Sequence, residues 1–171
     1  VTGDPLLNPY TLWWEYDKIG FGEGFGRAEG GHTLHSARIN TRFSLRVGYA
    51  DLFGWFKASW IFLPFGLLAV LHKRRWMALP AIAVLPSLVL VYIFYWIGAN
   101  LFGPRYYYEG LFSLTILTAV GIAWLAGWQL CPNDAPPQNN VWRKLRLFAT
   151  LLVITFLVSA SLIYYTPQRL K

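Results

Sequence analysis

Gly103-Pro104-Arg105-Tyr106-Tyr107-Tyr108-Glu109 is a short polar break between two long apolar runs, residues 78–97 before it and residues 111–130 after it. So short a gap keeps its arginine and its glutamate at the edge of a bilayer. Three consecutive tyrosines suit the interfacial aromatic belt, where a ring rests among headgroups and its hydroxyl reaches water. Pro104 is suited to open the next helix, because its fixed φ matches the first turn and its missing N–H is not needed there. Glu109 then falls in the first turns of that helix, where the macrodipole favours an anion. Arg105 is left as a fixed cation at the membrane surface, the right group to hold a phosphate. The same seven residues also read as an anchored turn, with Arg105 snorkelling to headgroups and Glu109 answering the dipole.

Working outward, composition fixes the class. Of the 171 residues, 56% are hydrophobic, 18% aromatic and 13% charged. A soluble domain carries about 25% charged residues, so the chain reads as an all-α membrane protein. The net charge of +7 is accounted for by the flanks of membrane spans and by lipid-phosphate contacts. Zinc-finger spacing, an RNA-binding sheet motif and a long basic tail are all missing, so nucleic acid is not an expected partner. The single cysteine, Cys131, excludes an internal disulfide framework and a multi-cysteine metal site.

Four transmembrane helices are expected, at about residues 55–71, 76–98, 107–129 and 147–165, making 55–171 a transmembrane region. Pro80 and Pro86 predict a kink in the second. Thr115, Thr118 and Gly121 are small residues that suit helix packing in the third. Residues 1–54 form an expected extracytoplasmic loop segment with an interfacial amphipathic helix. In it, Ile39, Phe43, Val47 and Ala50 recur at i, i+4, i+8 and i+11, beside a stripe of Arg38, Arg42 and Arg46. An apolar face flanked by cations is the pattern of a helix lying in the interface plane; the other reading is a solvated basic face on a helix packed against protein. No cationic stretch followed by an apolar core precedes the first span, so no signal peptide is read there. A polar head before the first span predicts that earlier spans exist upstream.

Several local patterns are weaker. Gly20-Phe21-Gly22-Glu23-Gly24-Phe25-Gly26 lacks the strand and helix of a nucleotide fingerprint, and its glycines read as an irregular loop. His32 and His35 lie three apart without a third ligand, so no metal site and no cofactor are expected. His32 is a candidate hydrogen-bond partner for a sugar or a phosphate. Asp17 reads as a solvated loop carboxylate. Lys and Arg in the 72–75 and 131–146 loops place those loops in the cytoplasm, and the Arg105 motif and the N-terminal loop outside.

Gly103-Pro104-Arg105-Tyr106-Tyr107-Tyr108-Glu109, Tyr95-Trp96 and Asp51-Leu52-Phe53-Gly54-Trp55 resemble the C-terminal half of bacterial multi-pass glycosyltransferases of the GT-C superfamily. The similarity is to the dolichyl-phosphate-mannose–protein mannosyltransferase-like family. Asn8-Pro9-Tyr10, Gly20-Phe21-Gly22, Gly31-His32-Thr33 and Asn40 are similar to the external loop of such proteins. The resemblance covers the chain up to about Gly121. It implies a multi-pass protein of the cell membrane that takes a polyprenyl-phosphate-linked sugar and transfers it on the extracytoplasmic face. Its partners would be membrane lipids and the N-terminal transmembrane part of the same protein. The family's catalytic carboxylate lies in a first external loop with no counterpart here, so no general base is assigned. Substrate binding falls to Arg105, which would stabilise the phosphate charge that grows in the transition state, with Tyr106, Glu109 and His32 beside it. The competing expectations are a transporter or flippase segment, which needs ionisable residues within the spans, and a non-catalytic membrane assembly subunit.

Overall fold

The computed structural model describes residues 3, 5, 7–72, 78–98, 105–128 and 140–170. Gly103, Pro104, Cys131 and the start of the expected second span lie outside them. Among the described residues the fold is all-helical, with two isolated antiparallel bridges, Ile19 with Tyr95 and Gly22 with His32. The chain divides into two compact units, Val1–Val47 with Pro86–Tyr107, and Gly48–Leu85 with Tyr108–Lys171.

The first unit joins the N-terminal loop, helix α1 (Leu34–Asp51) over most of its length, and the end of helix α3 (Leu79–Tyr92). A 3₁₀ turn at Pro9–Leu12 opens the loop, with Asn8 Oδ1 accepting from the Tyr10 N–H at 3.1 Å. Thr33 and Ser36 start α1 reciprocally: the Ser36 N–H donates to Thr33 Oγ1 (3.2 Å) and the Thr33 N–H donates to Ser36 Oγ (2.9 Å). That exchange satisfies donors that the first turn leaves orphaned. Helix α1 turns its small and polar residues inward, with Ala37 and Ser44 buried. Ile39 and Phe43 point outward, 53% and 43% exposed, and Arg38, Arg42 and Arg46 are exposed as well.

The second unit is built on α2 (Leu63–His72) packed against α4 (Leu111–Leu125). Small residues set how close they come. A Cβ on Gly66 would stand 2.0 Å from the Leu117 carbonyl oxygen, and one on Gly121 would stand 2.2 Å from that of Phe62. Thr118 and Gly121 are buried in α4 as expected, but Thr115 is exposed and its hydroxyl donates back to the Leu111 carbonyl. Gly127 ends α4 at φ +76°, and its N–H and that of Trp128 donate to the Trp124 and Ala123 carbonyls. This is a Schellman cap, which needs the left-handed conformation glycine adopts without penalty. Arg146 adds to the cap, its guanidinium donating to the carbonyls of Trp124 and Leu125. It belongs to α5 (Asn140–Ala160), which continues through a π turn at Ser161–Tyr165 into a last turn, α6 (Thr166–Arg169).

Among the described residues the structure does not hold four membrane-length helices. Among the described residues one helix is long and apolar enough to cross a membrane, the 30-residue Asn140–Arg169. It starts well before residue 147, because the basic residues expected ahead of the span are helical too. The expected span at 55–71 is a 3₁₀ turn, Phe56–Ala58, followed by the 10-residue α2, roughly 15 Å against a hydrocarbon core of about 30 Å. Pro64 fits only the first turn of α2, which holds its start at Leu63. The expected third span is a 3₁₀ turn, Arg105–Gly110, and then the 15 residues of α4. The described part of the expected second span is the 14-residue α3. Pro80 sits in its opening turn and only Pro86 lies inside it. It stops at Tyr92 because the next carbonyls are taken by other partners: Ile93 by His32, Phe94 by the Gly20 N–H and Trp96 by Asn40.

Candidate functional site

Residues 93–96 therefore form an unwound end of α3 on which the N-terminal loop is built. Gly31 permits the return of the loop, at φ +67°, where a Cβ would stand 1.8 Å from the Gly22 carbonyl oxygen. That close approach puts His32 opposite Gly22, whose N–H donates to the His32 carbonyl at 2.8 Å. The His32 ring is buried, stacked on Phe21 at 5.0 Å and 7°. Nε2 lies 3.0 Å from the Ile93 carbonyl oxygen, which can only accept, so Nε2 carries a proton. Nδ1 lies 3.1 Å from Ser36 Oγ. Both ring nitrogens of His32 are thus engaged, one by the unwound end of α3 and one by the first turn of α1.

Asp17 is the carboxylate at this place. Its Oδ1 accepts from the Tyr95 hydroxyl at 2.7 Å and from Trp96 Nε1 at 3.0 Å. Asn8 Nδ2 donates to the Asp17 carbonyl at 3.3 Å. Tyr16 stands edge-on to Trp96 at 5.6 Å, and Arg27 lies over the Tyr16 ring while its Nε donates to the Tyr16 hydroxyl at 2.7 Å. Asn40 Nδ2 reaches the Trp96 carbonyl at 2.9 Å. Asp17 is thus a half-buried, doubly hydrogen-bonded carboxylate and not the solvated one expected from sequence. The only sequence signal for it was Tyr95-Trp96, whose O–H and N–H need acceptors when partly buried.

The other expected site residues are placed as follows. Arg105 and Tyr106 begin the 3₁₀ turn Arg105–Gly110, and their side chains lie outside the described set. The Tyr107 hydroxyl shares a hydrogen bond with Ser44, and its ring stands edge-on to Tyr92 at 5.8 Å. Glu109 is exposed, two residues ahead of the first residue of α4. His32 and the backbone of Arg105 and Tyr106 belong to the first unit, and Glu109 belongs to the second.

In the second unit, Asp51 gathers a separate cluster. Arg169 Nη2 lies 2.7 and 2.6 Å from its two carboxylate oxygens, and the Tyr165 hydroxyl donates to Oδ1 at 2.7 Å. The ring of Tyr165 also lies under the Arg169 guanidinium, 5.4 Å from its centroid. Sequence reading used Asp51 only within the Asp51-Leu52-Phe53-Gly54-Trp55 stretch and gave Arg169 no role. Among the described residues no group of three or more His, Cys, Asp or Glu side chains could hold a metal ion. No family model, curated protein or solved structure matches the chain.

Proposed function

We propose that this chain is part of a multi-pass membrane glycosyltransferase that moves a sugar from a polyprenyl-phosphate donor to an acceptor on the extracytoplasmic face. One observation carries the reading. Three of the separate segments similar to the family's external loop bond to one place, the unwound 93–96 segment, through Gly20, His32 and Asn40, and Asn8 joins them through Asp17, which holds Tyr95 and Trp96. The chain that follows this segment leads to Arg105.

In this reading Arg105 binds the donor phosphate. Negative charge grows on that phosphate as the sugar–oxygen bond breaks, and a fixed guanidinium held close stabilises it more in the transition state than in the ground state. Tyr106 adds a hydroxyl donor. Glu109 lies ahead of α4, where the helix dipole favours its anion. His32, with both nitrogens engaged, positions the loop. The general base that deprotonates the acceptor hydroxyl has no assigned position in this chain. The outward face of α1 supports an interfacial location, because its exposed Ile39 and Phe43 lie beside exposed arginines. The helix Asn140–Arg169 would span the bilayer, with the shorter apolar helices Leu79–Tyr92 and Leu111–Leu125 in the same protein.

The test uses membrane vesicles carrying the protein expressed from its complete reading frame, given a polyprenyl-phosphate sugar labelled in the sugar. Transfer of label to an acceptor, lost in Arg105→Ala, is the expected result. Movement of the labelled lipid across the vesicle without transfer would replace the transferase by a transporter.

A further inference from the structure

A second site lies in the other unit. An open groove of about 610 Å³ is lined by Trp55, Phe56, Lys57 and Ala58 from one segment and by Phe156, Ala160 and Ile163 from another. That volume is in the range of ligand pockets, about 300–1,000 Å³. Its shape is fixed from both sides. Phe56 takes φ +52°, the one non-glycine positive φ among the described residues, and its ring stands edge-on to Tyr165 at 5.6 Å. A strained φ of this kind persists where the surroundings hold it. Tyr165 is tied in turn to Asp51, together with Arg169.

The lining decides the occupant. Its walls are almost entirely apolar, so an extended peptide would leave backbone N–H and C=O groups without partners. A hydrocarbon chain has none to satisfy. Among the described residues Lys57 is the only charged side chain lining the groove, and no described carboxylate pairs with it. Arg169, the nearby cation of the same unit, is already held by Asp51. An open apolar groove with one ammonium among its lining residues matches a chain with a phosphate at its end, and the Asn140–Arg169 helix that forms one wall is the helix long enough to lie in a bilayer.

We infer that the groove between Trp55–Ala58 and the end of α5 binds one acyl chain of an anionic phospholipid, with the Lys57 ammonium on its phosphate. The site uses none of the residues assigned to donor binding, so it stands or falls independently of the transferase reading.

The experiment titrates the purified protein, in detergent micelles, with phosphatidylglycerol or phosphatidylcholine brominated at the same chain position. Bromine quenches nearby tryptophan, and the Trp55 component is the difference between wild type and Trp55→Phe. The expected result is Trp55 quenching that half-saturates at about five-fold lower phosphatidylglycerol than phosphatidylcholine, the effect of one cation on an anionic lipid. Lys57→Gln should abolish that preference and Lys57→Arg should keep it, each with unchanged helical circular dichroism. Ala160→Trp, which fills the slot, should reduce Trp55 quenching by both lipids. Equal half-saturation by the two lipids in wild type, or no Trp55 component, would overturn the inference. So would displacement by polyprenyl phosphate that excess phosphatidylglycerol does not reproduce, since the groove would then belong to the donor.

Discussion

Tyr95 donates its hydroxyl to Asp17 Oδ1 at 2.7 Å, across 78 positions of sequence. With Trp96 Nε1 on the same oxygen, this carboxylate pins the N-terminal loop to the unwound end of α3. Tyr95→Phe should cost about 1 kcal/mol, the worth of one hydrogen bond, while Asp17→Ala should cost about 1–3 kcal/mol because two partly buried donors lose their acceptor. Thermal unfolding in detergent gives the magnitudes. Limited proteolysis should cut first within residues 18–31 in Asp17→Ala. Equal resistance of that loop in wild type and variant would remove Asp17 from its role.

Helix α1 yields a prediction about orientation. Its exposed stripe of Ile39 and Phe43 beside the arginines should lie at the level of lipid headgroups. A nitroxide on Ile39→Cys, in a Cys131→Ser background, should collide more often with oxygen than with a water-soluble nickel chelate in reconstituted vesicles. The same label at Arg42→Cys should show the reverse order. If both labels favour the nickel chelate, the helix faces water.

The α2–α4 contact is set by bare backbone at Gly66 and Gly121. Alanine at either position would place its Cβ 2.0–2.2 Å from a carbonyl oxygen, so the helices must separate. Each substitution should lower stability by about 1–3 kcal/mol, the usual cost of overpacking. Ser113 is the control. It is buried in α4, with no hydrogen-bond partner for its hydroxyl. Ser113→Ala should leave the unfolding temperature unchanged or raise it, because it removes an unpaired polar group.

These positions show what was readable beforehand. Helix α1 was legible because its apolar and basic residues repeat at helical spacing, and the observed Leu34–Asp51 holds all of Arg38, Ile39, Arg42, Phe43, Arg46, Val47 and Ala50. Its inward face was not legible, since Ala37 and Ser44 look like filler in a sequence. Span lengths failed for a different reason. Hydropathy reports apolar runs, but it does not show where carbonyls leave the helix ladder for loop partners, as Ile93, Phe94 and Trp96 do. The Asp17 site was hidden because its donors lie about eighty residues away.

The Asp51–Arg169 pair predicts a salt response. Arg169 is largely exposed, with 60% of its side chain accessible, so Arg169→Gln should cost less than about 1 kcal/mol, and less still at high salt. Asp51→Asn should cost more, because it also weakens the Tyr165 bond. An Arg169→Gln effect that grows with salt would contradict the ion-pair account.

The most direct measurement is the affinity of the purified protein for polyprenyl phosphate, compared among wild type, Arg105→Lys and Arg105→Ala with helical circular dichroism as the folding control. Loss of a phosphate-bound guanidinium should weaken binding about ten-fold or more in Arg105→Ala, with Arg105→Lys between that and wild type. Equal affinity in all three proteins would contradict a phosphate site at Arg105 and leave the Gly103–Glu109 stretch as an anchored turn.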